Sequence, residues 1–226
     1  MGRMVNFPVE SGRGGGYLAE AAGGGPGVLV IQEWWGLVPH ITEVCDRFAA
    51  EGFTALAPDL YRGELSTEPD EAGRLMMSLE LDRAATEMSA AVDHLLSLES
   101  VTSRGVGVIG FCMGGGLAYV LAARRPDVVR AVAPFYGVIP WEDARPDYSA
   151  ITASVQGHYA EFDDFAPPEF VRALEGELRE LGVETEMFVY PGTHHAFFND
   201  TRPEIYDEAA ATAAWDRTLA FFRAKI

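Results

Sequence analysis

The chain has 226 residues, which is enough for one sizeable hydrophobic core, so a single domain spanning residues 1–226 is the default expectation. Its formal charge of −17 opposes binding to nucleic acid and to anionic membrane surfaces, because phosphate groups are bound by clustered lysines and arginines. It contains no apolar run of about 18 residues and no secretory signal pattern, so we expect no membrane span and a cytoplasmic location.

Short apolar runs alternate with helix-like segments after a hairpin predicted at residues 5–9 and 17–21. Apolar runs of strand length indicate strands buried on both faces, and apolar residues spaced by about 3.6 positions indicate amphipathic helices. The predicted strands are 28–31, 53–57, 106–109, 131–134, 151–156 and 185–190. The predicted helices are 41–51, 74–98, 115–123, 168–181 and 206–224. This alternation predicts an α/β fold with a mostly parallel central sheet and helices on both faces.

The two cysteines, Cys45 and Cys112, are too few for a disulfide framework and do not form a C-x-x-C motif. Cys45 lies in the amphipathic pattern of a predicted helix that contains no glycine, so we interpret it as part of the core. Cys112 lies between glycines at the end of a predicted strand, which is a setting with chemical meaning.

Cys112 is the centre of the segment Gly110-Phe111-Cys112-Met113-Gly114. This segment fits the G-x-S-x-G nucleophile elbow, with cysteine in place of serine, in which the nucleophile occupies a tight turn between a strand and a helix. The residues two before and two after the nucleophile must be small so that the chain can cross closely. The start of the helix favours a thiolate, and the backbone N–H of Met113 is a candidate oxyanion donor. The alternative is a buried structural cysteine.

A thiolate that attacks a carbonyl needs a histidine that exchanges protons and a carboxylate that orients the histidine. In folds with a nucleophile elbow, the chain order is nucleophile, acid and histidine. The loop after the last predicted strand contains His194 and His195, and their spacing does not decide between them. Asp163 and Asp164 are candidates for the acid, and Glu161 is a weaker one.

Several motifs together are similar to those of a known family. The chain resembles the dienelactone hydrolases (carboxymethylenebutenolidases), which are small α/β-hydrolases with a Cys-His-Asp triad. The resemblance covers nearly the whole chain. The motifs that carry it are Ile31-Gln32-Glu33-Trp34-Trp35-Gly36, Ala57-Pro58-Asp59-Leu60-Tyr61, Gly110-Phe111-Cys112-Met113-Gly114-Gly115, Asp163-Asp164-Phe165-Ala166-Pro167 and His195-Ala196-Phe197.

The resemblance implies an α/β-hydrolase fold and a choice among the candidate catalytic residues. The family pattern of Asp, one variable residue and Phe-x-Pro selects Asp163 as the acid. The family pattern of His, one variable residue and Phe selects His195 as the base, with Cys112 as the nucleophile.

The resemblance also implies roles for residues around the triad. The family glutamate at the position of Glu33 takes part in activating the thiol when substrate binds, and a carboxylate near a thiol hinders its ionisation until the carboxylate is displaced or neutralised. The backbone N–H of Trp34 matches the second oxyanion donor beside that of Met113. Trp35 and Tyr136, with Trp34, are expected to line the pocket.

One position departs from the family pattern. Family members that open dienelactone use arginines to bind its carboxylate, and one of these arginines follows the catalytic histidine closely. The corresponding residue here is Asn199, with Arg202 slightly further along the chain. Arg62 and Arg74 are candidates for another basic contact. The resemblance therefore implies hydrolysis, but it does not imply dienelactone as the substrate.

The sequence predicts an enzyme that cleaves a small lactone or ester through a thioester on Cys112, with a small-molecule substrate as its partner. No cofactor is expected, and no metal site is expected because the adjacent His194 and His195 lack the spacing of helical ligands. The alternatives are a general carboxylesterase or thioesterase with another acyl substrate, a hydrolase-fold binding protein without catalysis, and a redox-sensing thiol.

Overall fold

The computed structural model describes residues 1–9, 12–139 and 144–226. Within these residues, eight strands form one sheet in the order β1-β2-β4-β3-β5-β6-β7-β8. The strands are β1 (Arg3–Val9), β2 (Gly12–Ala19), β3 (Gly25–Ile31), β4 (Thr54–Pro58), β5 (Val101–Phe111), β6 (Val129–Phe135), β7 (Ser154–Phe162) and β8 (Thr185–His194). The helices are α1 (Pro39–Ala50), α2 (Pro69–Ser78), α3 (Leu81–Ser97), α4 (Met113–Arg124), α5 (Pro168–Glu180) and α6 (Glu208–Lys225).

The sheet is antiparallel at one edge and parallel in the rest of its width. Strand β2 pairs antiparallel with β1 and with β4, which confirms the predicted opening hairpin. All pairs from β4 across to β8 are parallel. The mostly parallel sheet of the predicted α/β fold is therefore confirmed.

Two hydrophobic clusters cover the two faces of the sheet. Successive side chains of a strand point to opposite faces, and along β3 Val28 and Val30 belong to one cluster whereas Leu29 and Ile31 belong to the other. The first cluster contains buried residues of α1 and α6, and the second contains buried residues of α3, α4 and α5. Helices thus cover both faces, as the sequence predicts.

The prediction of one helix over residues 74–98 is wrong, because α2 ends at Ser78 and α3 begins at Leu81. Leu79 and Glu80 between them have extended backbones, with ψ angles of 110° and 117°. Neither residue is a proline or a glycine, and apolar residues continue at helical spacing across the break. The sequence therefore contains no local signal for it.

The prediction that a strand ends at Gln156 is also wrong, because β7 continues to Phe162 and includes Glu161. Within this extension His158 is buried, and its ring hydrogen-bonds with Tyr190 at 2.8 Å and with Thr218 at 3.1 Å. The strand continues through polar sequence because these polar atoms are satisfied inside the fold.

The parallel strands end at one edge of the sheet, and the candidate functional residues follow these ends directly. Cys112 follows β5, Tyr136 follows β6, Asp163 follows β7 and His195 follows β8, and Glu33 lies two residues after β3. The carboxyl edge of an open α/β sheet is where ligands bind. None of the helices described here combines the length and the apolar character needed to cross a bilayer.

Candidate active site

Cys112 occupies a strained turn between β5 and α4. Its backbone has a φ of 54° and a ψ of −118°, in a region that non-glycine residues rarely adopt. A Cβ on Gly110 would lie 2.0 Å from the carbonyl oxygen of Gly114, and a Cβ on Gly114 would lie 2.5 Å from that of Gln32. Larger residues at either position would push the crossing segments apart, so the two glycines are needed for this turn.

Backbone hydrogen bonds fix the turn on both sides of the cysteine. The N–H of Cys112 donates to the carbonyl oxygen of Phe135 at 3.0 Å, and its own carbonyl oxygen accepts from Gly115 at 3.0 Å. Met113 is the first residue of α4, so its N–H has no acceptor within the helix. The partly exposed Cys112 side chain therefore lies at a helix start, where negative charge is favoured.

His195 and Asp163 form a pair beside this turn. Nδ1 of His195 lies 2.8 Å from Oδ2 of Asp163, and the other carboxylate oxygen accepts from the backbone N–H groups of Phe165 at 2.8 Å and Ala166 at 3.1 Å. Burial raises the pKa of Asp163, but the hydrogen bond and charge of His195 and the two N–H groups hold that pKa below its usual value. The carboxylate is therefore charged and fixed in orientation.

The imidazole of His195 interacts with both Asp163 and Cys112. Burial lowers the pKa of His195, but the hydrogen bond to Asp163 and the interactions with Cys112 and with the charge of Asp163 outweigh burial and raise the pKa to about 10. The ring also packs edge-on against Tyr136 and tilted against Phe165, each with ring centroids 5.1 Å away. A histidine held by a carboxylate beside a cysteine is an arrangement that suits nucleophilic catalysis.

The other candidates for the acid and the base do not form such a pair. Glu161 is exposed and accepts a hydrogen bond from the backbone N–H of Gly192 at 2.7 Å. Asp164 is exposed at the rim of the cavity, and His194 packs against Phe162 at 5.4 Å. Of these candidate acids and histidines, Asp163 and His195 are joined to each other by a described hydrogen bond.

Glu33 is a buried carboxylate in the lining of the same cavity. Its Oε2 accepts from Nδ2 of Asn199 at 2.9 Å, and its Oε1 accepts from the hydroxyl of Tyr136 at 3.4 Å. The sequence identifies Asn199 as a departure from the family pattern, but it does not identify this residue as the partner of Glu33, 166 positions away. The contact is between side chains distant in sequence, which no local pattern indicates.

Backbone strain is concentrated around these groups. Among the described residues, four other than glycine have a positive φ, and Cys112, Tyr136 and Ala196 are three of them. Tyr136 and Ala196 lie directly beside Cys112 and His195 in the cavity lining. Such backbone conformations cost free energy and persist only where the surrounding structure holds them in place. They are common at active sites.

A cavity of about 750 Å³ opens at this edge of the sheet and contains the thiol of Cys112 and the ring of His195. Trp34, Trp35 and Tyr136 line it, as the resemblance implies. The described residues that line it are Glu33, Trp34, Trp35, Met76, Met77, Leu79, Leu81, Cys112, Met113, Leu117, Tyr136, Gly137, Val138, Ile139, Ala144, Phe162, Asp164, Phe165, His194, His195, Ala196, Arg202 and Ile205.

The arginines considered as carboxylate ligands have different positions. Arg202 lines the cavity, and its Nε lies 3.1 Å from Oε1 of Glu204. Arg62 pairs with Glu87, and Arg74 lies 3.8 Å from Glu71. Neither Arg62 nor Arg74 is part of the cavity lining.

Cys45 lies buried in α1 within the hydrophobic cluster shared with α6, where burial raises the pKa of its thiol. This position fits its interpretation as core packing. Across residues 1–9, 12–139 and 144–226, no group of three or more His, Cys, Asp or Glu side chains is arranged to hold a metal ion.

Comparison with known proteins gives consistent relatives over the full length. A model of the dienelactone hydrolase family matches residues 15–226. The chain is 40% identical to Protein usf of Aquifex pyrophilus, over 99% of this chain and 98% of that protein. It is 36% identical to a protein of Aquifex aeolicus provisionally named a carboxymethylenebutenolidase, over 99% of this chain and 98% of that protein.

Solved structures give the same result for the fold. A provisional dienelactone hydrolase from Klebsiella pneumoniae superposes with a TM-score of 0.88 at 27% identity, covering 99% of this chain and 98% of that one. A dienelactone hydrolase-like promiscuous phosphotriesterase from metagenomic libraries superposes with a TM-score of 0.87 at 25% identity, with the same coverage. The fold is that of the α/β-hydrolases, and the protein is a hydrolase enzyme. The chain belongs to the dienelactone hydrolase family.

Proposed function

We propose that this hydrolase cleaves a lactone or ester with Cys112 as the nucleophile, His195 as the proton carrier and Asp163 as the residue that orients the histidine. The observation that carries the proposal is the imidazole of His195, which hydrogen-bonds to Asp163 and lines the same cavity as Cys112. Both reacting groups line one cavity large enough for a small-molecule substrate.

In the first step, the thiolate of Cys112 attacks the carbonyl carbon of the substrate. The backbone N–H groups of Met113 and Trp34 stabilise the negative charge that develops on the carbonyl oxygen. The tetrahedral adduct collapses, the bond between the carbonyl carbon and the ester oxygen breaks, and the imidazolium of His195 gives its proton to the leaving oxygen. The result is a thioester on Cys112 and a free hydroxyl group, which in a lactone remains attached to the same molecule.

In the second step, neutral His195 removes a proton from a water molecule, and the resulting hydroxide equivalent attacks the thioester. Collapse of this adduct releases the carboxylic acid and restores the thiolate of Cys112 beside the imidazolium. Asp163 stabilises the imidazolium and keeps its Nδ1–H in place throughout. The raised pKa of His195 keeps its imidazole protonated at neutral pH before each turnover.

Glu33 is proposed to modulate the thiol. Glu33 lies close enough to influence the charges in the site. Burial is the largest cause that raises the pKa of the Tyr136 hydroxyl, and the charges of Glu33 and Cys112 raise this pKa further. A carboxylate close to a thiolate opposes its formation, and a substrate that displaces or shields the carboxylate relieves this effect. Asn199 and Tyr136 supply the hydrogen bonds that hold Glu33 in its buried position.

The test compares Cys112→Ala and His195→Ala with the wild type on p-nitrophenyl acetate and on a dienelactone. We expect each variant to lose on the order of 10³-fold or more in kcat, because the nucleophile and the base act as a unit. Cys45→Ala is the matched control, since it removes the buried thiol of α1 and keeps the site intact. A folded Cys112→Ala variant with turnover close to that of the wild type would contradict the proposal.

A further inference from the structure

The cavity is much larger than a small lactone ring requires. Its volume of about 750 Å³ lies in the upper part of the range of roughly 300–1,000 Å³ that accommodates drug-sized ligands. A single lactone ring that places its carbonyl carbon beside Cys112 leaves most of this volume without contacts. Protein cavities of this size are filled by ligands whose surface matches the lining.

One side of the cavity is formed by Met76 and Met77 from the end of α2, by Leu79 from the break between the helices, and by Leu81 from the start of α3. We call these four residues the apolar wall. Leu117 of α4, with Val138 and Ile139, adds further apolar surface to the lining. Among the described lining residues, the polar groups are concentrated around the triad and Glu33, so the space beside the apolar wall is suited to a hydrocarbon chain or an apolar ring.

Large apolar side chains are also exposed at the rim of the cavity. Met77 is 73% exposed, Phe165 is 68% exposed and Phe162 is 55% exposed, and all three belong to the lining. Isolated exposed apolar residues are ordinary, whereas several around one opening indicate a surface that contacts an apolar ligand. A substrate arm longer than the cavity would continue along these side chains.

The charges at the cavity do not favour an anionic substrate. Among the described lining residues, Glu33 and Asp164 are acidic, and the two positively charged side chains already have acidic partners: His195 pairs with Asp163, and Arg202 pairs with Glu204. The formal charge of −17 on the whole chain adds repulsion at long range. The side chain of Asn199 is neutral, and its amide N–H already donates a hydrogen bond to the carboxylate of Glu33.

We propose that the preferred substrates are uncharged esters or lactones with an apolar arm of several carbon atoms, and that this arm packs against the apolar wall. The inference rests on the proposed function, because it assumes that the carbonyl group reacts with Cys112. It adds the class of substrate: the apolar arm supplies binding free energy, and a carboxylate at the end of this arm is disfavoured by the charges and the apolar surface.

The first experiment measures kcat/KM for the p-nitrophenyl esters of acetate, butanoate, hexanoate and octanoate. We expect a rise of up to about fourfold per methylene until the cavity is filled, because each buried methylene contributes binding free energy. The mono-p-nitrophenyl ester of adipate replaces the terminal methyl of the hexanoate by a carboxylate. We expect it to react at least about tenfold more slowly than the hexanoate, because its charge must be buried. Acetate as the best ester, or adipate faster than hexanoate, would overturn the inference.

The second experiment tests the place of the arm. Leu79→Gln makes the apolar wall polar outside any helix, and Met77→Gln does the same at an exposed position that tolerates polar residues. We expect each to lower the ratio of octanoate to acetate kcat/KM by at least about fivefold. Leu181→Gln is the matched control, because Leu181 is 45% exposed and lies outside the cavity, and its ratio should equal that of the wild type. Unchanged ratios in both wall variants would reject this position.

The two proposals fail in different ways. If the Cys112→Ala variant still hydrolyses the esters at rates close to those of the wild type, the proposed function is contradicted. Turnover that depends on Cys112 but falls with chain length contradicts only the substrate class. The ester series in wild-type and Cys112→Ala proteins therefore separates the two.

Discussion

The catalytic edge of the sheet and the apolar wall lie on the same cavity, but they are built differently. Cys112, Asp163 and His195 each follow the last residue of a parallel strand, so the sheet itself brings them together. The apolar wall comes from two helices and the break between them, and α2 buries only Ala72 and Leu75. The proposed reacting groups are thus positioned by the central sheet, and the surface proposed to contact the substrate belongs in part to a helix that buries few of its side chains.

This difference separates chemistry from specificity. A change at the catalytic edge should affect all substrates, because it alters the groups that every reaction uses. A change in the apolar wall should alter the order of preference among substrates. Variants of Asp163, Gly110 and Asn199 test whether the catalytic edge depends on its charges and its backbone as strictly as this comparison requires.

The largest effect is expected from Asp163→Asn. The amide keeps an oxygen for the N–H groups of Phe165 and Ala166, but it removes the charge that stabilises the imidazolium of His195. We expect kcat to fall on the order of 10³-fold for all esters alike, measured by steady-state kinetics. Glu161→Gln is the control, because this exposed acid is bonded to Gly192 and not to a histidine. An equal loss in Glu161→Gln would mean that the acid is wrongly assigned.

The pH profile of the same variant tests the electrostatics of the pair. In the wild type His195 has a pKa raised to about 10, so it remains protonated at neutral pH and loses its proton as the pH rises through about 10. We therefore expect the alkaline limb of kcat/KM to lie near pH 10 in the wild type. It should move to lower pH in Asp163→Asn, because the neutral amide no longer stabilises the imidazolium. A limb that does not move would show that Asp163 does not control this proton.

A smaller effect is expected from the glycine at the crossing of β5 and α4. Gly110→Ala would place a Cβ 2.0 Å from the carbonyl oxygen of Gly114, and we expect a loss of about 3 kcal/mol or more in the free energy of unfolding. Gly176→Ala in α5 is the matched control, because a Cβ there meets no atom within 4 Å. It should raise that free energy by up to about 1 kcal/mol. Urea unfolding measures both, and equal stabilities would show that the crossing is not tight.

The sequence predicts which residues follow the strand ends at this edge because the signals are local. Glycines two positions on either side of Cys112 reflect the close crossing of the chain. Alternating strands and helices predict the parallel sheet, and the parallel sheet aligns the strand ends. The choice of His195 over His194 depends on the resemblance to a family, since both histidines lie at the end of β8 and spacing does not distinguish them.

The apolar wall could not be predicted in the same way. Its geometry depends on the break at Leu79 and Glu80, where neither glycine nor proline interrupts the helical pattern. Tertiary packing determines that break. The partner of Glu33 was also beyond local reasoning, because Asn199 is distant in sequence and its amide meets the carboxylate only in the folded chain.

The smallest effect is expected from the hydrogen bond between the side chains of Asn199 and Glu33. Asn199→Ala leaves the buried carboxylate of Glu33 with the longer hydrogen bond from Tyr136, so we expect a loss of roughly 1–3 kcal/mol in the free energy of unfolding. In a Glu33→Gln background the same change should cost less, because no buried charge is then left without its donor. Urea unfolding of the four proteins gives the coupling directly. Additive losses would mean that Asn199 stabilises the fold independently of Glu33, and that this carboxylate is held by other parts of the site.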